Sequence, residues 1–244
     1  MLIVETPYRA LVTYSLIHVI VWLCFLFAIC WLVHLSLNKI SSRRMQILAI
    51  LTLITTLLLT DVVTIYATLT QPKKEATSFI SEIGSLPLEE AVYRIRGFID
   101  RRVKPSYRQP EAALELDNSL RGLFVIDYYL VYLAGFDEAH VILYQGFGSC
   151  GQYAILMRYF LSMLGYETRL ARFKGRDHEW AEAEVNGSWY IVDPWYIELC
   201  SGKRLTPIGE LGSLEEFKNA QGVIVYYLNG TEIDAGYEHG YFQN

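Results

Sequence analysis

This chain of 244 residues is poor in cysteine, with four, and has no basic run longer than a doublet such as Arg43–Arg44. Four thiols in a chain of this size are too sparse for a disulfide scaffold. Cys24 and Cys30 lie in an apolar stretch, where cysteine is an ordinary small hydrophobe; Cys150 and Cys200 remain to be explained. A net charge of −5 without basic clusters gives no electrostatic reason to expect a nucleic-acid partner. Charge of either sign is also missing from the N-terminal end. Residues 1–70 hold only Glu5, Arg9, Lys39, Arg43, Arg44 and Asp61 as formal charges, and the remainder carries a local net charge of −7. With 52% hydrophobic and 14% aromatic residues, the chain is not disordered. It reads as an apolar N-terminal third joined to a mildly acidic domain large enough to bury its own core.

Two apolar runs dominate the first third, residues 11–35 and 47–69, with a polar turn at 38–44 between them. About 20 apolar residues in a helix cross a hydrocarbon core. The expectation is a transmembrane helical hairpin over 1–71, ended by Gln71-Pro72 because proline cannot continue a helix. A second domain then occupies 72–244, and the protein is an integral, multi-pass membrane protein. Thr52, Thr56, Thr60, Thr64 and Thr68 recur every four residues, a ridge suited to close packing within the hairpin or an oligomer. Asp61 within the second run is expected to bond nearby hydroxyls or a histidine rather than to do chemistry. Three basic residues in the 38–44 turn favour a cytoplasmic turn and an extracytoplasmic second domain.

Beyond residue 75 the pattern turns helical. Leu86-Pro87-Leu88-Glu89-Glu90 opens a helix with proline and acids in its first turn, with Val92, Ile95 and Ile99 as its apolar face, and 114–133 carries another helical pattern. Gln145 to Ser149 is a glycine-rich, flexible approach to Cys150. Ala154, Met157, Leu161 and Leu164 then fall on one helical face, and Gly165 stands at the C-cap position. Cys150 thus opens an amphipathic helix, whose N-terminal N–H groups and partial positive charge favour an anion such as a thiolate.

Residues 168–173 read as a strand and 174–177 as a turn. Asn186-Gly187 between two strand-like runs is a hairpin signal of type I′. With Val185 facing Ser188, Asp193 falls opposite Trp180, and His178 lies two residues along on the same face. Diagonal neighbours of this kind are about 7–8 Å apart at Cα, so the turn alone brings His178 and Asp193 within hydrogen-bonding reach. Asp177 competes as a partner by adjacency but points to the other face. Glu182 and Glu184 share the His178 face, which predicts a solvated far end for the hairpin. A helix-opening cysteine, a strand-opening histidine and an aspartate beside it suit nucleophilic acyl transfer. The thiolate attacks a carbonyl carbon, the imidazole carries the proton, and the carboxylate orients the ring.

Gly148-Ser149-Cys150-Gly151, Leu164-Gly165-Tyr166-Glu167-Thr168-Arg169, His178-Glu179-Trp180 and Trp189-Tyr190-Ile191-Val192-Asp193-Pro194 together resemble the transglutaminase-like superfamily of the papain fold, over residues 140–196. The resemblance implies an α+β fold, with the cysteine helix packed on an antiparallel sheet that carries His and Asp. It also implies a thioester intermediate, with Cys150 as nucleophile, His178 as general base and acid, and Asp193 as orienting carboxylate. The Cys150 N–H and the Gln145 side chain are candidate oxyanion donors, and Trp180 is expected to pack beside the imidazole. No cofactor is implied. A zinc site from Cys150, His178 and Cys200 lacks the short ligand pair that such sites use.

The tail suggests a short helix at Leu214–Phe217, a strand at 223–227 and a turn at Asn229-Gly230. The expected function is a membrane-anchored, cysteine-dependent acyl-transfer enzyme acting on amide bonds of peptides or proteins, either a peptidase or amidase or a transglutaminase. The alternative is an inactive membrane-tethered binding module of the same fold.

Overall fold

The computed structural model describes residues 27, 31, 43–105, 131–176, 178–194, 205–227 and 230–241. The chain divides into two compact units, Met1–Pro72 with Arg108–Asp137, and Lys73–Tyr107 with Glu138–Asn244. In the first unit, helix α1 (Arg43–Ile83) begins, and Tyr66 meets Phe136 edge-on with ring centroids 5.3 Å apart. Of the helix expected over 114–133, only 131–133 lies within the described residues, and it is helical.

The membrane assignment is corrected here. Among the described residues no helix is long and apolar enough to cross a membrane, which overturns the expectation of an integral multi-pass protein. The run at 11–35 lies outside the described residues apart from Phe27 and Trp31. The run at 47–69 is part of the 41-residue α1, which continues past it through Lys73, Lys74 and Glu75. Within the threonine series, Thr52 is exposed and Thr68 half-buried, while the side chains of Thr56, Thr60, Thr64 and Asp61 lie outside the described residues.

Pro72 is also not a helix end. The helix runs through it to Ile83. A proline in a helix interior costs about 3 kcal/mol, but Ala76, Phe79 and Ile83 beyond it are all buried. Burying a large apolar side chain stabilises by about 1.5–3 kcal/mol, so continuing the helix wins.

The second unit is an α+β body. Helix α2 (Leu88–Arg102) buries Leu88, Ala91, Val92, Ile95, Phe98 and Ile99 on one face. A short helix, α3 (Glu138–Gln145), leads to β2 (Phe147–Gly148), which pairs in parallel with β1 (Lys104–Pro105). Helix α4 (Cys150–Met163) follows and buries Tyr153, Ala154, Leu156, Met157, Phe160 and Leu161. Phe79, Phe98 and Phe160, one from each long helix, form a ring cluster with centroids 4.3 to 5.5 Å apart.

Helix α4 packs on a six-stranded sheet in the order β6-β5-β4-β3-β7-β8, with every neighbouring pair antiparallel. The strands are β3 (Thr168–Phe173), β4 (Glu179–Val185), β5 (Ser188–Val192), β6 (Thr206–Pro207), β7 (Val223–Tyr227) and β8 (Glu232–Asp234). The alternation of β4 sorts its side chains between two cores. Ala181 and Ala183 face the helices with Leu170 and Val192, and their small size permits close approach of α4. Trp180 faces a second core with Phe173, Ile191, Leu211, Phe217, Val223 and Val225. At Leu214–Phe217 the structure has one hydrogen-bonded turn after a 3-10 helix, Ile208–Ser213, in place of the expected helix.

Candidate active site

The approach to Cys150 is held rather than flexible. Gly146, with φ +70°, turns the chain out of α3, and its carbonyl accepts from the Lys104 N–H at 2.9 Å. Gln152 Oε1 accepts from the Ser149 N–H at 2.8 Å and from the Ser149 hydroxyl at 2.7 Å, one arm of a capping box. Gly148 sits so close that a Cβ there would lie 2.5 Å from Gln152 Cβ. Cys150 therefore starts α4 at a defined point, half-buried and with a free thiol.

The hairpin register is the one its turn predicts. Asn186 (φ +53°) and Gly187 (φ +81°) form the loop, and Val185 pairs with Ser188 through to Ala181 with Val192. One step further, Asp193 comes level with Trp180. The outcome is a hydrogen bond of 2.6 Å between His178 Nε2 and Asp193 Oδ2, with Asp193 fully buried and His178 only 9% exposed. The Cys150 side chain also interacts with this imidazole. Trp180 stacks on the ring with centroids 5.8 Å apart and planes at 24°.

The electrostatics of the imidazole follow from these neighbours. Burial disfavours the imidazolium, but the bond to Asp193, then the bond to Cys150, then the charges of both outweigh it and push the pKa up to about 9. The Asp193 carboxylate and the Cys150 sulfur thus favour a protonated ring at neutral pH. Such a ring can stabilise a sulfur anion and give up its proton to a leaving group.

Of the other expected site residues, Gln145 is the last residue of α3 and half-buried. Asp177 and Cys200 lie outside the described residues.

Glu182 departs from expectation. It is fully buried rather than solvated. Its Oε1 accepts from Trp180 Nε1 at 2.9 Å and faces His239 Nε2 at 2.6 Å, and its Oε2 accepts from Arg169 Nε at 2.7 Å. Burial alone would raise this carboxyl, yet His239 first and Arg169 second hold it below the usual carboxylate range. Arg169, itself 1% exposed, donates further to the Tyr227 hydroxyl at 2.8 Å and Glu238 at 3.0 Å, and lies 4.2 Å from the Trp189 ring centre. Arg169 and Glu182 are direct cross-strand partners. Arginines on β3 and glutamates on β4 were a signal the sequence carried; for His239, separated from Glu182 by 57 residues, it carried none.

Comparison with known proteins places these features in a family context. Residues 98–194 match the family model of the transglutaminase-like superfamily, a span that includes Cys150, His178 and Asp193. No curated protein matches the chain. Among solved structures, the chain is similar to a Rad4–Rad23 complex bound to a 6-4 photoproduct UV lesion, at 10% identity and a TM-score of 0.40 over 75% of this chain and 48% of that one. It is also similar to a proposed protease from Parabacteroides distasonis, at 14% identity and a TM-score of 0.33 over 71% of this chain and 30% of that one. The chain thus spans less than half the length of either. Neither likeness is close enough to carry an argument about function.

Proposed function

We propose that the protein is a cysteine-dependent acyl-transfer enzyme acting on amide bonds of peptides or proteins, its chemistry residing in the unit built from residues 73–107 and 138–244. The observation that supports this most is the single imidazole, His178, bonded to the buried carboxylate of Asp193 and interacting with the Cys150 side chain. In this reading the Cys150 sulfur attacks the amide carbonyl carbon, forming a C–S bond and a tetrahedral oxyanion. The imidazolium of His178 gives its proton to the departing nitrogen as the C–N bond breaks, leaving a thioester and a neutral ring. Water or a primary amine then attacks the thioester, the ring takes its proton, and the thiolate leaves. Asp193 holds the ring and stabilises its charge throughout. The backbone N–H of Cys150 and the Gln145 amide are the candidate donors to the oxyanion.

Hydrolysis and amine transfer share every step up to the thioester and divide only there. A thiol-directed activity probe is expected to label Cys150 rapidly at neutral pH, with labelling and turnover lost in Cys150→Ala and turnover reduced at least a hundredfold in His178→Ala. Labelling no faster than that of an unactivated thiol would overturn the assignment. Incorporation of a tagged primary amine into a peptide pool, set against release of free carboxylate, separates transfer from hydrolysis.

A further inference from the structure

The carboxyl of Glu182 has no place in the reaction above, yet it is fully buried and meets three polar side chains. It sits at 0% exposure on the sheet face behind His178, one alternation beyond Trp180 on the same strand. Three groups meet it: the Trp180 indole, the His239 ring and the Arg169 guanidinium. Both nitrogens of His239 face oxygens, Nδ1 the Ala235 carbonyl at 2.7 Å and Nε2 the carboxyl. The ring is therefore locked in orientation, and Glu182 with it. Burying such a set is costly, and apolar residues of similar volume are often as stable or more so. Folding alone does not call for this arrangement.

Among the described residues, Trp180 links Glu182 to the site. The indole N–H is tied to Glu182 at 2.9 Å, and the indole face stacks on the imidazole of His178. Phe173 packs against Trp180 with ring centroids 4.7 Å apart and lies 6.3 Å from the His178 ring as well. Rotation of the indole would break the bond to Glu182, so the carboxyl fixes the plane against which the imidazole lies. An aromatic face also favours the protonated ring over the neutral one. We propose that Glu182 and His239 are positioning residues for His178, acting through Trp180, so that the segment 235–241 forms part of the functional apparatus. The inference rests on His178 being the acid–base of the proposed reaction.

The test follows the imidazole itself in the full chain. With ring-labelled histidine, the His178 resonance is titrated by NMR in the wild type, Trp180→Phe, Glu182→Gln and the double variant, alongside a thermal melt of each. Trp180→Phe keeps a ring against the imidazole but cannot donate to Glu182. The expected result is a wild-type midpoint of about 9, as the opposed effects of burial, Asp193 and Cys150 set it. Trp180→Phe lowers it by about one unit, a tenfold weaker proton affinity. Glu182→Gln lowers it similarly, because its NH2 cannot accept from Arg169 or Trp180 and the side chain is forced to reorient. The double variant lowers it no further, because both changes loosen one link. Variants that melt earlier but titrate at the wild-type midpoint overturn the inference, as do additive shifts. If Glu182→Gln does not fold, Trp180→Phe alone decides, and an unmoved midpoint there overturns it. Cys150 labelling is a separate readout. Its failure counts against the enzymatic reading, whereas a fixed His178 midpoint counts against this link.

Discussion

His178 is where burial and charge contend most directly at the scale of one residue. Desolvation is the largest single influence on it and works against the imidazolium, but the bonds to Asp193 and Cys150 and the charges of both together exceed it. A histidine whose pKa is raised in the folded state stabilises the fold fully below its unfolded value of 6.5, and that contribution is lost as pH rises through about 9. Chemical denaturation at pH 6, 8 and 10 is therefore expected to show declining stability across this window, on the order of 3 kcal/mol in all. His178→Ala should remove most of the decline. Turnover depends on the same proton, since expulsion of the amine needs the imidazolium, and should fall on the alkaline side near pH 9. Asp193→Asn removes the strongest influence raising the ring, so its alkaline limb should move toward neutrality. Glu182 makes the opposite point about legibility. Its place on the His178 face followed from strand alternation, but alternation cannot tell a buried carboxylate from a solvated one. That depended on the arrival of Arg169 and His239.

Elements carry these residues to one another through two tight geometries. Asn186 and Gly187 both adopt positive φ, as a type I′ turn demands, and the turn sets which residue of β5 faces which residue of β4. Replacing Gly187 with Val places a β-branched residue in a left-handed conformation. It is expected to cost about 1–2 kcal/mol in a urea melt and to lower turnover by shifting Asp193 relative to His178. The other geometry is the contact of Gly148 with Gln152. Gly148→Ala drives a methyl group into Gln152 Cβ, so β2 or the first turn of α4 must move. The expected cost is about 1–3 kcal/mol together with slower labelling of Cys150, although the sulfur itself is untouched. The start of α4 was legible from the spacing of Ala154, Met157 and Leu161. The rigidity before it was not, because glycines read locally as freedom and act here as permission for close approach.

For the molecule as a whole, the unit of residues 73–107 and 138–244 is closed by its own C-terminal segment. Ending the chain after Asp234 removes Glu238 and His239 and leaves Glu182 with Arg169 and Trp180. Removing one partner of a buried charged set costs about 3–5 kcal/mol. A truncated chain is expected to melt lower by roughly that amount and to be cleaved faster by trypsin at the exposed Arg172. The error at this scale was the membrane assignment. A count of apolar residues treated 47–69 as an isolated span with a proline stop, whereas it is the early part of a longer helix whose end lies in the core beside Phe98 and Phe160. Run length measures local composition and does not register where a helix goes next.

Short-range chemistry in the amino-acid order was enough to specify the cysteine at the head of its helix, the hairpin register and the pairing of His178 with Asp193. Each depends on turn residues and periodicities acting over a few positions. Only the folded chain decided that Pro72 lies inside a helix, that Gly148 is a point of contact, and that Glu182 is buried between Arg169 and His239. Those outcomes depend on groups up to 57 residues apart competing for the same space. Burial and the charge it tolerates are properties of the assembled neighbourhood rather than of any local stretch.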